Sequence, residues 1–510
     1  MASCNRPYGS PIHILDTDSL LNIFHLHRPV LLEDDEDDDD RILEGGEWVR
    51  ERWWYKLSHV CRRWRYLILG SASHLGLCLV CTYGTPVGDM LANSPPLPLV
   101  IDHIGDDHDI TTEDEEGILL ALQHRDRVRR IRFQMPVPNL IRLITAMDDE
   151  FPILDYLYLA APKNDKTSLI LPSTFEAPHL RHLVLDNVVC PIGSALLTPV
   201  TGLVSLSLLK IRPSAYFSPS VLLQRLSLMP QLETLGIDFH SPVSNRYVQR
   251  QLLDTPAMTH VTLPNLRWFG SKGASAYLEA LLPRMTASML EKLQVLFFHQ
   301  LTYSIPHLVQ FINTTENFTF GSARITFDEE AVFIRVYPHV GAKMYAFYLE
   351  VGCRPVDWQV ASAAHIFDAL STVFSAVDHL SLEYERYFIS SEWNHEADRE
   401  KWRELLGSFG NVKVLRLGVG DDFTRQLSGS LQIEAGESPM ELLPELKELS
   451  YCVFDEDDDT FASFIDARQN YGYPVALVRR VMTRRPGSPT ESLLSMTFDF
   501  LSGDITHLGR

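Results

Sequence analysis

A six-residue pattern, apolar-x-x-apolar-x-apolar, recurs along this chain. It reads VRRIRF at 128–133, LDYLYL at 154–159, LRHLVL at 180–185, LVSLSL at 203–208 and LETLGI at 232–237. It returns as LQVLFF at 293–298, VDHLSL at 377–382, VKVLRL at 412–417 and LKELSY at 446–451, with a shorter copy, LRWFG, from Leu266. The tight apolar-x-apolar ending and the β-branched and aromatic residues around it predict short strands rather than helices. Helix-like segments fall between the copies, at 117–125, 218–229 and 274–285.

The central apolar residues are Ile131, Leu157, Leu183, Leu206, Leu235, Phe269, Leu296, Leu380, Leu415 and Leu449. Their spacings are 26, 26, 23, 29, 34, 27, 84, 35 and 34 residues. Leucine-rich repeats run about 20–29 residues each. One strand and one helix of this size cannot bury their apolar faces alone, so neighbouring repeats must stack. The expected fold is α/β: a leucine-rich-repeat solenoid over 71–482, with parallel strands inside and helices outside.

The long spacing holds ARITF (323–327), VFIRVY (332–337) and MYAFYLEV (344–351), read as strands with short connections. One or more should be repeat strands and the others antiparallel additions. DWQVASAAHIFDALSTVF (357–374) has helical spacing and should cross over to the next repeat. LGLCLVC (75–81), LPLVIDH (97–103) and VALVRRV (475–481) predict further strands. The tail, 483–510, is expected to be only partly ordered.

Residues 11–70 have a different texture and predict a small helical module with an acidic loop insertion at 30–46. ILDTDSLLNIF (14–24) is amphipathic, and Asp16 or Thr17 can cap it. GEWVRERWWYKL (46–57) leads into SHVCRRWRYLIL (58–69), where Val60, Trp64 and Leu67 make one helical stripe, with Cys61 and Ile68 beside it. By itself this reads as a cap closing the end of a repeat array.

Composition and charge narrow the function. A hydrophobic content of 45% and an aromatic content of 10% belong to a folded chain. The net charge is −21, but it is concentrated in EDDEDDDD (33–40), DDHDITTEDEE (106–116) and DEDDD (455–459); without these runs the chain is nearly neutral. Nucleic acid and anionic membrane are therefore not expected partners. The second run stops where a helix should begin, and Thr112 with Glu115 has capping-box spacing. DEDDD likewise precedes Thr460 and the helical FASFIDARQ, and carboxylates are favoured at helix starts. Seven cysteines make no disulfide framework and favour a reducing compartment, cytoplasmic or nuclear. The first residues lack the apolar core of a signal peptide. The uncharged stretch Asn187–Leu209 is interrupted by Pro191, Gly193, Pro199 and Gly202, so no membrane span is expected.

No signature of catalysis is present: no phosphate loop, no H-E-x-x-H, no G-x-S-x-G. Cys78-x-x-Cys81 with His74, His59 and Cys61 has partial zinc spacing, but Cys78 sits in an apolar alternation and reads as a buried small residue. No cofactor and no metal are expected. The basic stretch RDRVRRIR (125–132) reads as a helix end followed by a strand with a solvated face.

The order of Leu20, Leu21, Ile23 and Phe24, then Leu57, Val60, Cys61, Arg62, Arg63, Trp64 and Arg65, resembles the F-box. Together with LGLCLVCTYGTPVGDML and the repeats behind it, the chain is similar to F-box domain-containing proteins of mushroom-forming fungi. It departs from that pattern in having Ile14-Leu15-Asp16 where the family has Leu-Pro, and about 20 extra residues between Phe24 and Val60. The resemblance implies a non-catalytic substrate receptor of a Skp–cullin–F-box ubiquitin ligase, acting in ubiquitin-dependent degradation. Leu15, Leu20, Leu21, Ile23, Phe24, Leu57, Val60, Cys61, Trp64 and Leu67 would then dock on the Skp-type adaptor, and through it on a cullin. The alternative is a repeat scaffold that binds a protein without joining a ligase.

A target protein would meet the strand residues that point away from the core, since strand side chains alternate. Arg132, Tyr156, Tyr158, His182, Trp268 and Phe297 are the candidates, because aromatic and Arg side chains dominate protein interfaces.

Overall fold

The computed structural model describes residues 15–27, 53–104, 110–162, 169–191, 194–197, 201–242, 260–384, 398–418, 421–433, 441–453 and 460–481. The acidic runs 33–40 and 455–459 and the tail 483–510 lie outside the described residues, as does the start of run 106–116. The chain forms two compact units, Met1–Leu203 and Val204–Arg510. The fold is mixed α/β, with mostly parallel strands and connecting helices.

The first unit opens with four short helices: α1 (Thr17–Leu26), α2 (Trp53–Ser58), α3 (Arg62–Gly70) and α4 (Ala72–Leu75). Strands β1 (Leu79–Cys81), β2 (Leu99–Ile104), β3 (Val128–Gln134) and β4 (Tyr156–Ala160) follow, then β5 (Leu169–Ile170), β6 (His182–Asp186) and β7 (Val188–Val189). The order β1-β2-β3-β4-β6 is parallel throughout, with the small pair β5–β7 separate. The register pairs Ile131, Leu157 and Leu183, so these predicted central residues form one buried ladder, which Ile101 on β2 extends.

Between β2 and β3 lies the helix Thr112–Gln123, longer at its start than the sequence predicts. Its N-cap is Thr111, and the capping box closes with Asp114, one residue earlier than the Thr112–Glu115 pair. Thr112 is already helical, so its side chain cannot serve as the cap. The acids after it form the first turn, where the helix dipole favours them. Asp114 also accepts from the Gly84 N–H at 2.8 Å, and Glu115 pairs with Arg142 on the helix Val137–Thr145 at 2.8 Å. This acidic run therefore ties one repeat to the next.

The second unit holds β8 (Ser205–Ile211), β9 (Thr234–Phe239), β10 (Val261–Thr262), β11 (Trp268–Gly273), β12 (Met285–Thr286) and β13 (Lys292–Phe298). It continues with β14 (Ser322–Phe327), β15 (Ala331–Tyr337), β16 (Phe347–Gly352), β17 (His379–Tyr384), β18 (Val414–Leu417), β19 (Glu448–Val453) and β20 (Ala476–Val481). Strand order is β8-β9-β11-β13-β16-β15-β14-β17-β18-β19-β20, with β10–β12 a separate pair. The long spacing in the sequence is a meander. The chain leaves β13, forms β14, and returns through antiparallel β15 to β16, which lies beside β13. The helix Val356–Ala369 then leads on to β17 beside β14. Fully buried Gln359 holds this turn, donating to the carbonyls of Asp328 and Cys353 at 2.7 Å each.

One repeat frame differs from the sequence reading. Phe269 pairs with Leu293, and Gly273 with Phe297. The buried face of β13 is Leu293, Val295 and Phe297, whereas Leu296 is only half-buried. The repeat motif here is Leu290-x-x-Leu293-x-Val295, three residues earlier than LQVLFF. Because the strand period is two, an odd shift moves every side chain to the other face.

Helices pack on the leucine face of each set of strands. Phe239 meets Tyr277 of the helix Ser275–Leu281 at 4.7 Å. Phe327 meets Trp402 of the helix Arg399–Gly407 at 5.3 Å. Among the described residues no helix is long and apolar enough to cross a membrane. The uncharged stretch from Asn187 holds β7, a single helical turn at Ala195–Leu197, and β8 from Ser205.

Candidate functional site

The N-terminal helices are built around two aromatic rings. Asp16 caps α1 by accepting from the Ser19 N–H at 2.7 Å, which holds the Asp16 carboxyl below its ordinary pKa. Leu20 and Phe24, one turn apart on α1, are fully buried. Phe24 packs edge-to-face on Trp64 at 4.9 Å between ring centroids. Trp54 is buried too, and its indole N–H donates to the Cys78 carbonyl at 3.3 Å.

Four residues of the Val-Cys-Arg-Arg-Trp-Arg segment, Cys61, Arg63, Trp64 and Arg65, have internal roles. Cys61 is the N-cap of α3, its sulfur accepting from the Trp64 N–H. Arg63 donates to the Leu15 carbonyl, and Arg65 to the Ser58 carbonyl at 3.1 Å. Val60 precedes the helix and is 57% exposed, so it lies off the predicted Val60–Trp64–Leu67 stripe; the buried pair is Trp64 and Ile68. A capping cysteine must have extended backbone, which ends the helical stripe at residue 61.

The candidate adaptor-contact residues therefore fall into two groups. Leu20, Phe24 and Trp64 are core residues and present no surface. Leu15, Leu21, Ile23, Leu57, Cys61 and Leu67 are half-buried and Val60 is exposed. Leu26 and Tyr66, which the sequence reading did not single out, are 81% and 79% exposed.

The outward face of the strands sorts in the same way. In the first unit, Tyr156 and His182 are half-buried ladder neighbours with ring centroids 5.8 Å apart. Arg132 and Tyr158 are buried, contrary to expectation. They occupy one in-register row, Asp102–Arg132–Tyr158–Val184. Strands lie about 4.8 Å apart, so each side chain in such a row is covered on both flanks. Arg132 meets Asp102 at 3.5 Å, and the Tyr158 hydroxyl donates to Gln134 at 3.3 Å. Arg129 and Arg130 both pair with Asp155, at 2.7 and 3.2 Å. The local positive charge of this basic strand is thus largely matched.

In the second unit, Trp268 is half-buried on the outward face, as expected. Its indole lies over Gly236 and Gly270, at positions where any Cβ would crowd the ring. Phe297 is a correction: the frame shift at β13 places it in the core, against Tyr303 at 5.8 Å.

Sequence reasoning missed a cluster of aromatic and cationic side chains on this face. Beside Trp268 in register is Lys292, whose ammonium sits 4.1 Å from the Tyr345 ring centroid. Tyr345 stands 5.5 Å from Tyr348, and Tyr348 is directly opposite Arg335. Arg335 in turn is directly opposite Arg324. The Tyr348 hydroxyl donates to Glu350 at 2.9 Å; burial raises the Glu350 pKa against the effect of that bond. Arg324 pairs with Glu383 at 3.3 Å. The alternation in VFIRVY carried the signal, since it sets Phe333, Arg335 and Tyr337 on one face.

Cys78 and Cys81 are both buried, and Cys78 packs with Val80 and Val100. Among the described residues no group of three or more His, Cys, Asp or Glu is placed to hold a metal ion.

No protein-family model matches the chain. No curated protein matches it either. Among solved structures, the crystal structure of the TLR13–ssRNA13 complex is similar at a TM-score of 0.26 and 14% identity, over 76% of this chain and 49% of that one. The chain thus spans about half the length of that structure. A likeness of this size carries no argument about fold or ligand, and the repeat architecture stands on the ladders described above.

Proposed function

We propose that this chain is a non-catalytic recognition subunit: its N-terminal helices dock on a Skp-type adaptor and so reach a cullin, and its repeats hold a target protein for ubiquitin transfer by the partners. The reading includes an intracellular setting, cytoplasmic or nuclear. The observation that carries it is the division within the F-box-like segment. Leu20, Phe24 and Trp64 make a small core, while Leu15, Leu21, Ile23, Leu57, Leu67 and Val60 keep apolar surface in water. A module this small does not need that many solvated apolar side chains for its own stability.

The test is binary affinity between the purified chain and a Skp-type adaptor. Leu21→Asp and Val60→Asp should each weaken it about tenfold or more if they sit at the interface. A wild-type chain with no measurable affinity for the adaptor would refute the reading. The second reading, a repeat scaffold outside any ligase, is favoured by one feature: Cys61, Arg63 and Arg65 of the F-box-like motif are engaged within the module itself.

A further inference from the structure

A stack of repeats needs both ends closed, because a terminal strand leaves a row of backbone donors and acceptors, and one flank of the core, uncovered. In the first unit the helical module meets that need. Trp54 is buried there, and its indole N–H donates to the carbonyl of Cys78, the residue before β1. In the second unit the last strand is β20, and among the described residues it has a strand neighbour on one side only, β19.

Two observations mark the other side of β20 as a docking site. First, the leucine ladder stops uncovered. Leu415 and Leu449 are fully buried, whereas Leu477, the next rung, is only half-buried. Val478 is exposed, as are Tyr471 and Tyr473 just before the strand. Second, the backbone on that side is turned outward. The Ala476 N–H donates to the Lys447 carbonyl, towards β19, and successive residues of a parallel strand address opposite sides. The N–H and C=O of Leu477 therefore point away from β19.

The sequence beyond β20 holds a strand that fits. Residues 494–500 read LSMTFDF, with Leu494, Met496, Phe498 and Phe500 apolar and Ser495, Thr497 and Asp499 polar. Strict alternation of this length is the pattern of a strand with one buried face. Twelve residues separate Val481 from Leu494, and among them Pro486-Gly487 and Pro489 are turn signals. Such a connection reaches about 40 Å, about twice the length of a six-residue strand, so 494–500 can return beside β20 in either direction.

We propose that the open side of β20 is the docking site of the chain's own segment 494–500, which joins the sheet as one more strand. In that position its backbone pairs with the outward groups of β20, and its four apolar side chains continue the core past Leu477. Asp499 then stands on the opposite face, the one that Val478 and Arg480 share, where an acid beside a base is favourable. The docking stands apart from the adaptor reading of the N-terminal helices.

The test is residue-resolved hydrogen–deuterium exchange on the purified full chain. The Leu477 amide and the amides of 494–500 should exchange about a hundredfold or more slowly than in an unfolded peptide. Phe498→Asp should abolish both protections together and Phe498→Leu should keep them, while β17 and β18 exchange as in wild type. Free exchange across 494–500 in the wild-type chain would overturn the proposal. So would Leu477 protection that survives Phe498→Asp: dependent on protein concentration, it would make the occupant a second copy of this chain, and independent of it, another segment. A loss in Phe498→Asp that spreads through β17 and β18 would place Phe498 in the main core and overturn the proposal as well.

Discussion

Phe24 and Trp64 meet edge-to-face at 4.9 Å, joining α1 to α3 across nearly 40 intervening residues of sequence. The contact makes the first and last parts of the N-terminal helical segment one folded object. Trp64→Ala should therefore cost about 3–5 kcal/mol, the usual cost of deleting a buried aromatic ring. Leu21→Asp, on a half-buried position, should cost far less. Urea denaturation followed by circular dichroism separates the two. Equal losses would mean that Leu21 belongs to the core.

Trp268 lies on a trough made by Gly236 and Gly270. A Cβ at Gly236 would come 3.3 Å from the indole, and one at Gly270 would collide with it. Gly270→Val should displace the ring into water at a cost of about 1–3 kcal/mol. Tryptophan emission should shift to the red relative to wild type, with no such shift when Gly270→Val is placed in a Trp268→Phe background. An unchanged spectrum in both would show that the ring does not rest on the glycines.

His103 is buried on β2, and among the described residues neither ring nitrogen has a hydrogen-bond partner. Its ring packs edge-to-face on Tyr83 at 4.8 Å. Burial pushes its pKa down to about 4, and the nearby Asp114 carboxylate opposes that shift only in part. An unfolded histidine titrates near 6.5. Between about pH 6.5 and pH 4 the unfolded chain takes up a proton that the folded chain refuses, so stability falls as pH drops, by up to about 3 kcal/mol. His103→Leu should flatten this part of the pH profile. Melting temperatures at about pH 7 and about pH 4.5 test it. Identical pH profiles for wild type and variant would contradict the assignment.

Arg468, on the helix Ala462–Asn470, is fully buried and donates to the carbonyls of Leu442, Leu443, Pro444 and Leu446. It fixes the loop that leads into β19. Arg468→Ala would leave several buried carbonyls without donors, at about 1–3 kcal/mol for each group that water cannot reach. Amide hydrogen exchange should speed up in 441–453 before it changes in β8 to β13. Uniform exchange across the unit would show that the clamp is not local.

Much of this fold was legible in the leucines. Ile131, Leu157, Leu183 and Leu235 are readable because an apolar residue follows two positions on, at Phe133, Leu159, Leu185 and Ile237, while Arg130, Tyr156, His182 and Thr234 mark the other face. LQVLFF was not, since residues 295–298 are all apolar and either face could be the core. Only the pairing of Phe269 with Leu293 decides it. Exposure on the outward face was also hidden, because it depends on the adjacent strand: Arg132 is covered by Asp102 and Tyr158, which are distant in sequence. Arg335 and Tyr348 escaped notice for a related reason. They sit in a meander that breaks the repeat, where no periodicity assigns a register. The helical module was legible as helices, and its cap at Asp16 was anticipated, but the cap at Cys61 was not, since cysteine is an uncommon N-cap.

We propose that the N-terminal helices recruit a ubiquitin ligase. The direct measurement is quantitative mass spectrometry of the full chain purified from cells after proteasome inhibition, beside a Leu21→Asp/Val60→Asp double variant. A Skp-type adaptor should return in near-stoichiometric amount with a cullin beside it, both lost from the double variant. A wild-type chain that returns neither, although folded, would contradict it.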